Sequence, residues 1–313
     1  MKLNKKFNGF SLTELMIAMV LGLLVLGGVI GVFVSNQNTA RFSEIQQINR
    51  HGFQLMARDI RAAGFSGCGN VDRFMNILNV AGVQPWATWN GGILGLQAPV
   101  GAINGTATTP NTDALRVMYS GGQSAAVAAH VPPQLTLNTA PPVRNGDIAA
   151  ICDDTLTTIF EASGIGAAPG TTLLHAQAGT INGAANLGFI SPINFAAVPV
   201  KQYSVNSMVM RFESVAWFVA PSQDDATISS LYRASLVGNR QVNEEVLLGV
   251  SGLNLRYLDE TTRQLRTANA VVNWGDIIAV EVSLTIDNAL LGQMVIPDDV
   301  RTIAFTVTLR NRV

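Results

Sequence analysis

The sequence predicts an α+β protein: a long N-terminal helix, membrane-spanning in its first half, packed on a mainly antiparallel β-sheet body with long loop insertions. Three observations carry this prediction. Positions 15–34 read LMIAMVLGLLVLGGVIGVFV, a run of 20 residues without a charge. An amphipathic stretch at helical spacing continues from it towards Gly64. Segments near the C-terminus alternate apolar and polar residues with the period of a half-buried strand.

Composition narrows the function classes. The chain has 313 residues, 48% hydrophobic and 13% charged, with 20 Lys+Arg against 21 Asp+Glu and a formal net charge of −1. Such a balance offers no basic footprint, so no direct nucleic-acid site is expected, and the apolar content excludes wholesale disorder. Charge is about half the share usual in soluble domains.

The apolar run comes first. At 1.5 Å per residue it covers about 30 Å, the thickness of the hydrocarbon core. Thirteen of its 20 residues are Leu, Ile, Val or Phe. They contribute on the order of −4 to −8 kcal/mol to insertion, more than the edge carboxylate of Glu14 offsets, so a span over about 12–34 is expected. Lys2, Lys5 and Lys6 precede the run, which keeps the N-terminus cytoplasmic and sends the body to the periplasm. An ordinary secretory signal has a shorter apolar region with cleavage after it, a layout missing here.

The segment KFNGFSLTELMIAMVLG, residues 6–22, resembles the class III leader of type IV prepilins and type II secretion pseudopilins. The resemblance implies a leader of residues 1–9, cut after Gly9 by a prepilin peptidase that then methylates the amine of Phe10. The processed chain would have 313 − 9 = 304 residues and a side-chain balance of 17 − 21 = −4. The resemblance also implies that Glu14 pairs with the Phe10 amine of an adjacent subunit and sets axial register. A carboxylate beside an apolar span is costly without a partner, and a buried ion pair aligns better than it stabilises. Major pilins commonly carry a proline where Gly31 stands. Here Gly22, Gly27, Gly28 and Gly31 permit close helix packing and local unwinding instead.

Beyond Ser35, Phe42, Ile45, Ile48, Leu55, Met56 and Ile60 recur at mostly helical spacing, with Arg41, Glu44, Arg50, Arg58, Asp59 and Arg61 between them. The helix is expected over 10–64, ending where Gly64, Gly67 and Gly69 favour turns. Gly52 interrupts it without a reason visible in the sequence. The remaining 65–313 form a β-rich body, large enough for one domain or two.

Strands are predicted at 114–119, 207–219, 253–257, 278–286 and 303–309. The stretches 90–113, 120–146 and 161–200, rich in Gly, Ala, Thr, Asn and Pro, are expected as long loops that display contacts. Residues 231–236, 244–260, 274–286 and 296–312, the last ending in LRNR, resemble the C-terminal region of PilW-type minor pilins. J-class pseudopilins of type II secretion share the general plan. The likeness to minor pilins implies as partners the inner membrane before assembly, other minor pilins and the major pilin. It also implies a role in priming fibre growth, a place at the tip, and support for twitching motility, adhesion or DNA uptake.

Catalytic and metal chemistry find little footing. Cys68 and Cys152 are 152 − 68 = 84 positions apart, and an oxidising periplasm permits a disulfide between them, with two separate buried thiols as the alternative. Closing that loop restricts the unfolded chain by about 4.5 kcal/mol. His51, His130 and His175 are scattered in sequence, no HExxH, P-loop, GxGxxG or GxSxG motif occurs, and two cysteines cannot complete a zinc site. No cofactor, metal or enzymatic activity is expected. Asp153-Asp154, Asp224-Asp225 and Asp298-Asp299 lack the spacing of a calcium loop and read as turns or caps. Trp86, Trp89, Trp217 and Trp274 read as core.

Overall fold

A computed structural model describes residues 12–68, 73–79, 84–166, 170–188, 200–287, 301–310 and 312, apart from the side chains of 34–51. The chain divides into two compact units, Met1–Arg50 and His51–Val313. Helix α1, Leu12–Ala62, runs through all four glycines of its apolar part without a break. It stops two residues short of the expected Gly64, whose φ of +78° suits glycine and turns the chain away. Residues 10–11 lie outside the described residues.

The second unit begins with the last turns of α1 and continues in strands. In chain order they are β1 Phe74–Asn76, β2 Ile93–Leu96, β3 Ala102–Ile103, β4 Thr106–Ala107, β5 Ala114–Val131, β6 Gln134–Leu137, β7 Ile148–Cys152, β8 Thr157–Glu161 and β9 Gly164–Ile165. There follow β10 Thr172–Leu174, β11 Met208–Pro221, β12 Ser229–Val237, β13 Arg240–Leu248, β14 Val250–Asp259, β15 Leu265–Arg266, β16 Ile277–Ile286 and β17 Thr302–Thr308. Among the described residues they form an 11-stranded sheet, a 4-stranded sheet in the order β15-β14-β16-β17, and the β3-β4 hairpin. Pairing is antiparallel except for the short β1-β8 ladder. The predicted combination of an apolar N-terminal helix and a β-rich antiparallel body matches this architecture.

The large sheet is organised by two long strands. One edge of β11 pairs with β5 over most of its length, while the other pairs with β7 through residues 208–211 and with β12 through 215–221. On its far edge β5 meets β2 near its start and β6 near its end. Asp113 joins the sheets, its amide donating to the Leu253 carbonyl and its Oδ2 accepting from the Leu255 amide. Tyr257 of β14 lies so close to β2 that a Cβ on Gly95 would stand 2.1 Å from its hydroxyl.

Two loop expectations change. Residues 120–131 continue β5, because the ladder to β11 carries the chain past a bulge opposite Met210 and Arg211, where Gly122 adopts φ +82°. Residues 134–137 then pair as β6, so only the 132–133 turn and 138–146 of that stretch lie outside strands. In 90–113 and 161–200 the strands are short and the rest is turn or coil, with 167–169 and 189–199 outside the described residues.

Candidate assembly site

From Leu12 to Phe33, α1 is 22 residues long with a mean hydropathy of 2.7, and none of it is buried by the chain itself. Leu23, Leu24 and Val25 are each more than 60% exposed. A surface of this kind demands lipid or protein against it. Glu14, the one charged residue between Leu12 and Phe33, lies exposed in the first turn, where a carboxylate complements the helix dipole. A Cβ on Gly22, Gly27, Gly28 or Gly31 would meet nothing within 4 Å, so the fold of this chain does not itself require those glycines. Lys2, Lys5, Lys6, Gly9 and Phe10 lie outside the described residues.

The last turns of α1 belong to the body, and a buried carboxylate secures them. Asp59 is 1% exposed. Its Oδ1 accepts from the Tyr119 hydroxyl at 3.0 Å, and its Oδ2 from Trp217 Nε1 at 3.1 Å and from Arg233 Nε at 2.9 Å. One helical residue thereby holds three strands, β5, β11 and β12. Burial and then the Asp59 charge push the Tyr119 hydroxyl above its ordinary range. Burial pulls the Arg233 guanidinium down, but the bond to Asp59 and its charge outweigh that and leave it raised. The sequence reading put Asp59 among polar separators of the helix. The structure makes it a buried polar anchor of the helix on the body.

Apolar and close contacts complete the seat. Met56 and Ile60 are fully buried, and Phe53 packs edge-on against Phe305 of β17 with ring centroids 4.0 Å apart. Gly52 acquires a reason: a Cβ there would approach Leu247 Cδ2 of β13 to 3.3 Å. After the helix, the Gly64 amide donates to the Met118 carbonyl and the Ser120 amide to the Phe65 carbonyl. Gly92, at φ +83°, crosses so near that its Cβ would fall 2.5 Å from Gly64 Cα.

Two further ties flank this junction. Cys68 and Cys152 form a disulfide, with Cα atoms 5.8 Å apart. Arg312 donates through Nη1 to the carbonyls of Ile277 at 3.0 Å and Trp274, and through Nη2 to that of Gly91. Arg312 of the LRNR ending thus clamps the turn at 274–277 to the segment around Gly91. Truncation to Arg312→Ala is expected to lower stability by about 2 kcal/mol, since charged hydrogen bonds each contribute about 1.5–3 kcal/mol and water replaces part of them. Urea denaturation of the two proteins measures it.

The histidines are not scattered in space. His130 and His175 are buried with their Nε2 atoms 3.0 Å apart. The Tyr203 amide donates to His130 Nδ1 at 2.9 Å, so neutral His130 carries its proton on Nε2 and donates to His175. Phe160 and Tyr203 rings wall the pair, and on Tyr203 sits the Lys201 ammonium, 4.9 Å from the ring centroid and paired with Asp153. Burial pulls both imidazoles down to about 4 from 6.5, aided at His175 by the neighbouring His130. With folded values below unfolded ones, the stabilisation is complete above pH 6.5 and drains away as pH falls towards 4. At pH 5 roughly 2 kcal/mol per histidine is lost. Denaturation at pH 7.5 and pH 5 is expected to show this loss in the wild type and a much smaller one in His130→Gln/His175→Phe; equal losses would refute the assignment.

The carboxylate pairs behave as turns. Asp153 Oδ1 accepts from the Thr155 and Leu156 amides, and Asp225 Oδ1 from the Thr227 amide and hydroxyl. Asp298-Asp299 lies outside the described residues. Among the described residues no group of three or more His, Cys, Asp or Glu side chains is placed to hold a metal ion. Trp86 and Trp217 are core residues, while Trp89, stacked on Phe74, and Trp274, edge-on to Tyr257, are half-buried.

Asp59, Arg233, Arg312 and the histidine pair escaped the sequence reading. A carboxylate one position from the buried Ile60 was the available signal. The remaining contacts join residues 35 or more positions apart and left none.

A comparison with curated proteins finds no match. Residues 4–30 match the family described as the prokaryotic N-terminal methylation motif. That motif implies processing by prepilin peptidase, and with the single exposed apolar helix it fits anchoring in a membrane followed by assembly. The N-terminus of this chain therefore carries a prepilin-type leader, which supports a type IV pilin-like or pseudopilin-like protein.

Proposed function

We propose that this chain is a minor pilin of a type IV pilus, similar to the PilW type, which primes assembly and ends at the fibre tip. The observation that carries the reading is the methylation motif continuous with a 22-residue apolar helix that this chain leaves wholly exposed. Cleavage after Gly9 frees the Phe10 amine, and Glu14 of one subunit pairs with that amine on the next. The helix passes from lipid into the fibre without leaving an apolar environment, so extraction from the membrane is offset by packing on neighbours. The mechanism is assembly and involves no catalysis. The body faces the periplasm before assembly and the cell surface after it, where such subunits support twitching motility, adhesion or DNA uptake. A large body on one stalk suits a tip better than a repeating shaft.

The prepilin-type leader and the general plan, which J-class pseudopilins of type II secretion share, sustain such a pseudopilin as the second reading. Deleting the gene separates the two: loss of surface pili with normal enzyme export supports the pilus, and the reverse supports secretion.

The leader itself is tested by intact mass and N-terminal sequencing of the membrane-extracted protein. A chain beginning at methylated Phe10 only when prepilin peptidase is present is the expected result. A chain still beginning at Met1 would overturn the reading. Glu14→Ala is expected to insert normally and to be processed, yet to be absent from sheared fibres; its normal incorporation would remove the register role.

A further inference from the structure

At the end of α1 lies an open cleft of about 590 Å³ lined by Arg58, Arg61, Ala62, Phe65, Thr308 and Arg310. All three arginines are exposed, and none makes an ion pair with a carboxylate among the described residues. The backbone sets their spacing. Arg58 and Arg61 lie one turn apart on the helix, and the Arg310 amide donates to the Arg61 carbonyl at 3.1 Å, bringing the end of the C-terminal strand beside them. Three like charges in one cleft repel one another. Arg61 complements the helix C-terminus, and Arg58 also borders Glu244 and Glu245 on its other side without an ion pair to either, which leaves Arg310 without a carboxylate of its own among the described residues. Between them the floor is apolar: Ala62 is half-buried and Phe65 remains 37% exposed.

We propose that this cleft binds an acidic segment of a neighbouring subunit, with guanidinium groups holding its carboxylates and Phe65 receiving an adjacent apolar side chain. Planar guanidinium forks match carboxylates in a bidentate manner, and an apolar floor suits a peptide better than a bare anion or a lipid headgroup. The identity of the neighbour rests on the pilin reading; the chemistry of the cleft does not.

The test uses the full-length chain in neutral detergent and a fluorescein-labelled peptide of six glutamates and one leucine, read by anisotropy at 20 mM salt. Wild type is expected to bind it, with affinity falling as salt rises to 300 mM. Arg58→Gln/Arg61→Gln/Arg310→Gln is expected to lose at least tenfold, and Phe65→Ser at least threefold. A control carrying Arg240→Gln/Arg256→Gln, exposed arginines elsewhere on the body, is expected to bind like wild type. Equal loss in the control and the cleft variant would overturn the proposal, as would no binding by wild type. Displacement of the peptide by inorganic phosphate or by phosphatidylglycerol vesicles at equivalent charge would overturn it too, assigning the cleft to a phosphoryl group. Unchanged melting temperatures of the variants exclude misfolding. Processing at Phe10 is read separately, so a chain that binds the peptide but is not processed loses the pilin reading and keeps the cleft.

Discussion

Replacing Asp59 by alanine is expected to destabilise the His51–Val313 unit by about 3–5 kcal/mol, a fall in melting temperature on the order of 10 °C. The size follows from what is left behind. Arg233, with an 18% exposed side chain, would keep its charge without a partner, and the Tyr119 hydroxyl and Trp217 Nε1 would lose their acceptor. Removing one member of a buried charged network costs far more than the intact network contributes, because the remaining groups stay desolvated. Asp59→Asn retains an oxygen for Tyr119 but gives up the charge facing Arg233, so about half the loss is expected. Urea titration followed by the fluorescence of the four tryptophans, Trp217 among them, measures both. A loss below about 1 kcal/mol for Asp59→Ala would mean that water enters and satisfies the site. Membrane insertion is expected to be unaffected, because the apolar segment Leu12–Phe33 lies well before Asp59 in the chain.

That lock explains which parts of the protein were legible in its sequence. The apolar span and the C-terminal strands β14, β16 and β17 declare themselves through periodicity, because one solvent, lipid or water, contacts each pattern consistently. Strands β7 and β8 do not, since all five residues of each are buried and alternation disappears when both faces are covered. The second half of β5 reads as loop, for Gly121-Gly122 and the run SAAVAAH lack strand propensity, yet the ladders to β11 and β6 override it. Asp59 sits among apolar neighbours on a face where a charge is normally solvated. Its burial depends on Arg233, 174 positions away, and no local pattern encodes that contact. The glycines divide the same way. Gly52 is explained by Leu247 of a distant strand, whereas those of the span meet nothing in their own chain and answer to surroundings outside it.

The second large effect concerns the disulfide. Cys68→Ala/Cys152→Ala is expected to lower stability by about 4.5 kcal/mol, because the bridge closes a loop of 84 positions in the unfolded chain. The native state itself should change little. Cys152 is held by its ladder partners Thr157 of β8 and Met208 of β11 whether or not its sulfur is bonded. Alanine in place of a fully buried cysteine leaves no polar group unpaired. The loss should therefore carry a signature that distinguishes it from that of Asp59→Ala. Freed from its cross-link, the unfolded chain expands and exposes more surface, so the urea m-value should rise while the midpoint falls. Asp59→Ala acts on the native state and should shift the midpoint at an unchanged m-value. Reduction of the wild-type protein should reproduce the double variant; a reduced protein as stable as the oxidised one would show that the bridge follows folding without supporting it. Wherever the surroundings are oxidising, the cross-link makes the junction after α1 resistant to opening.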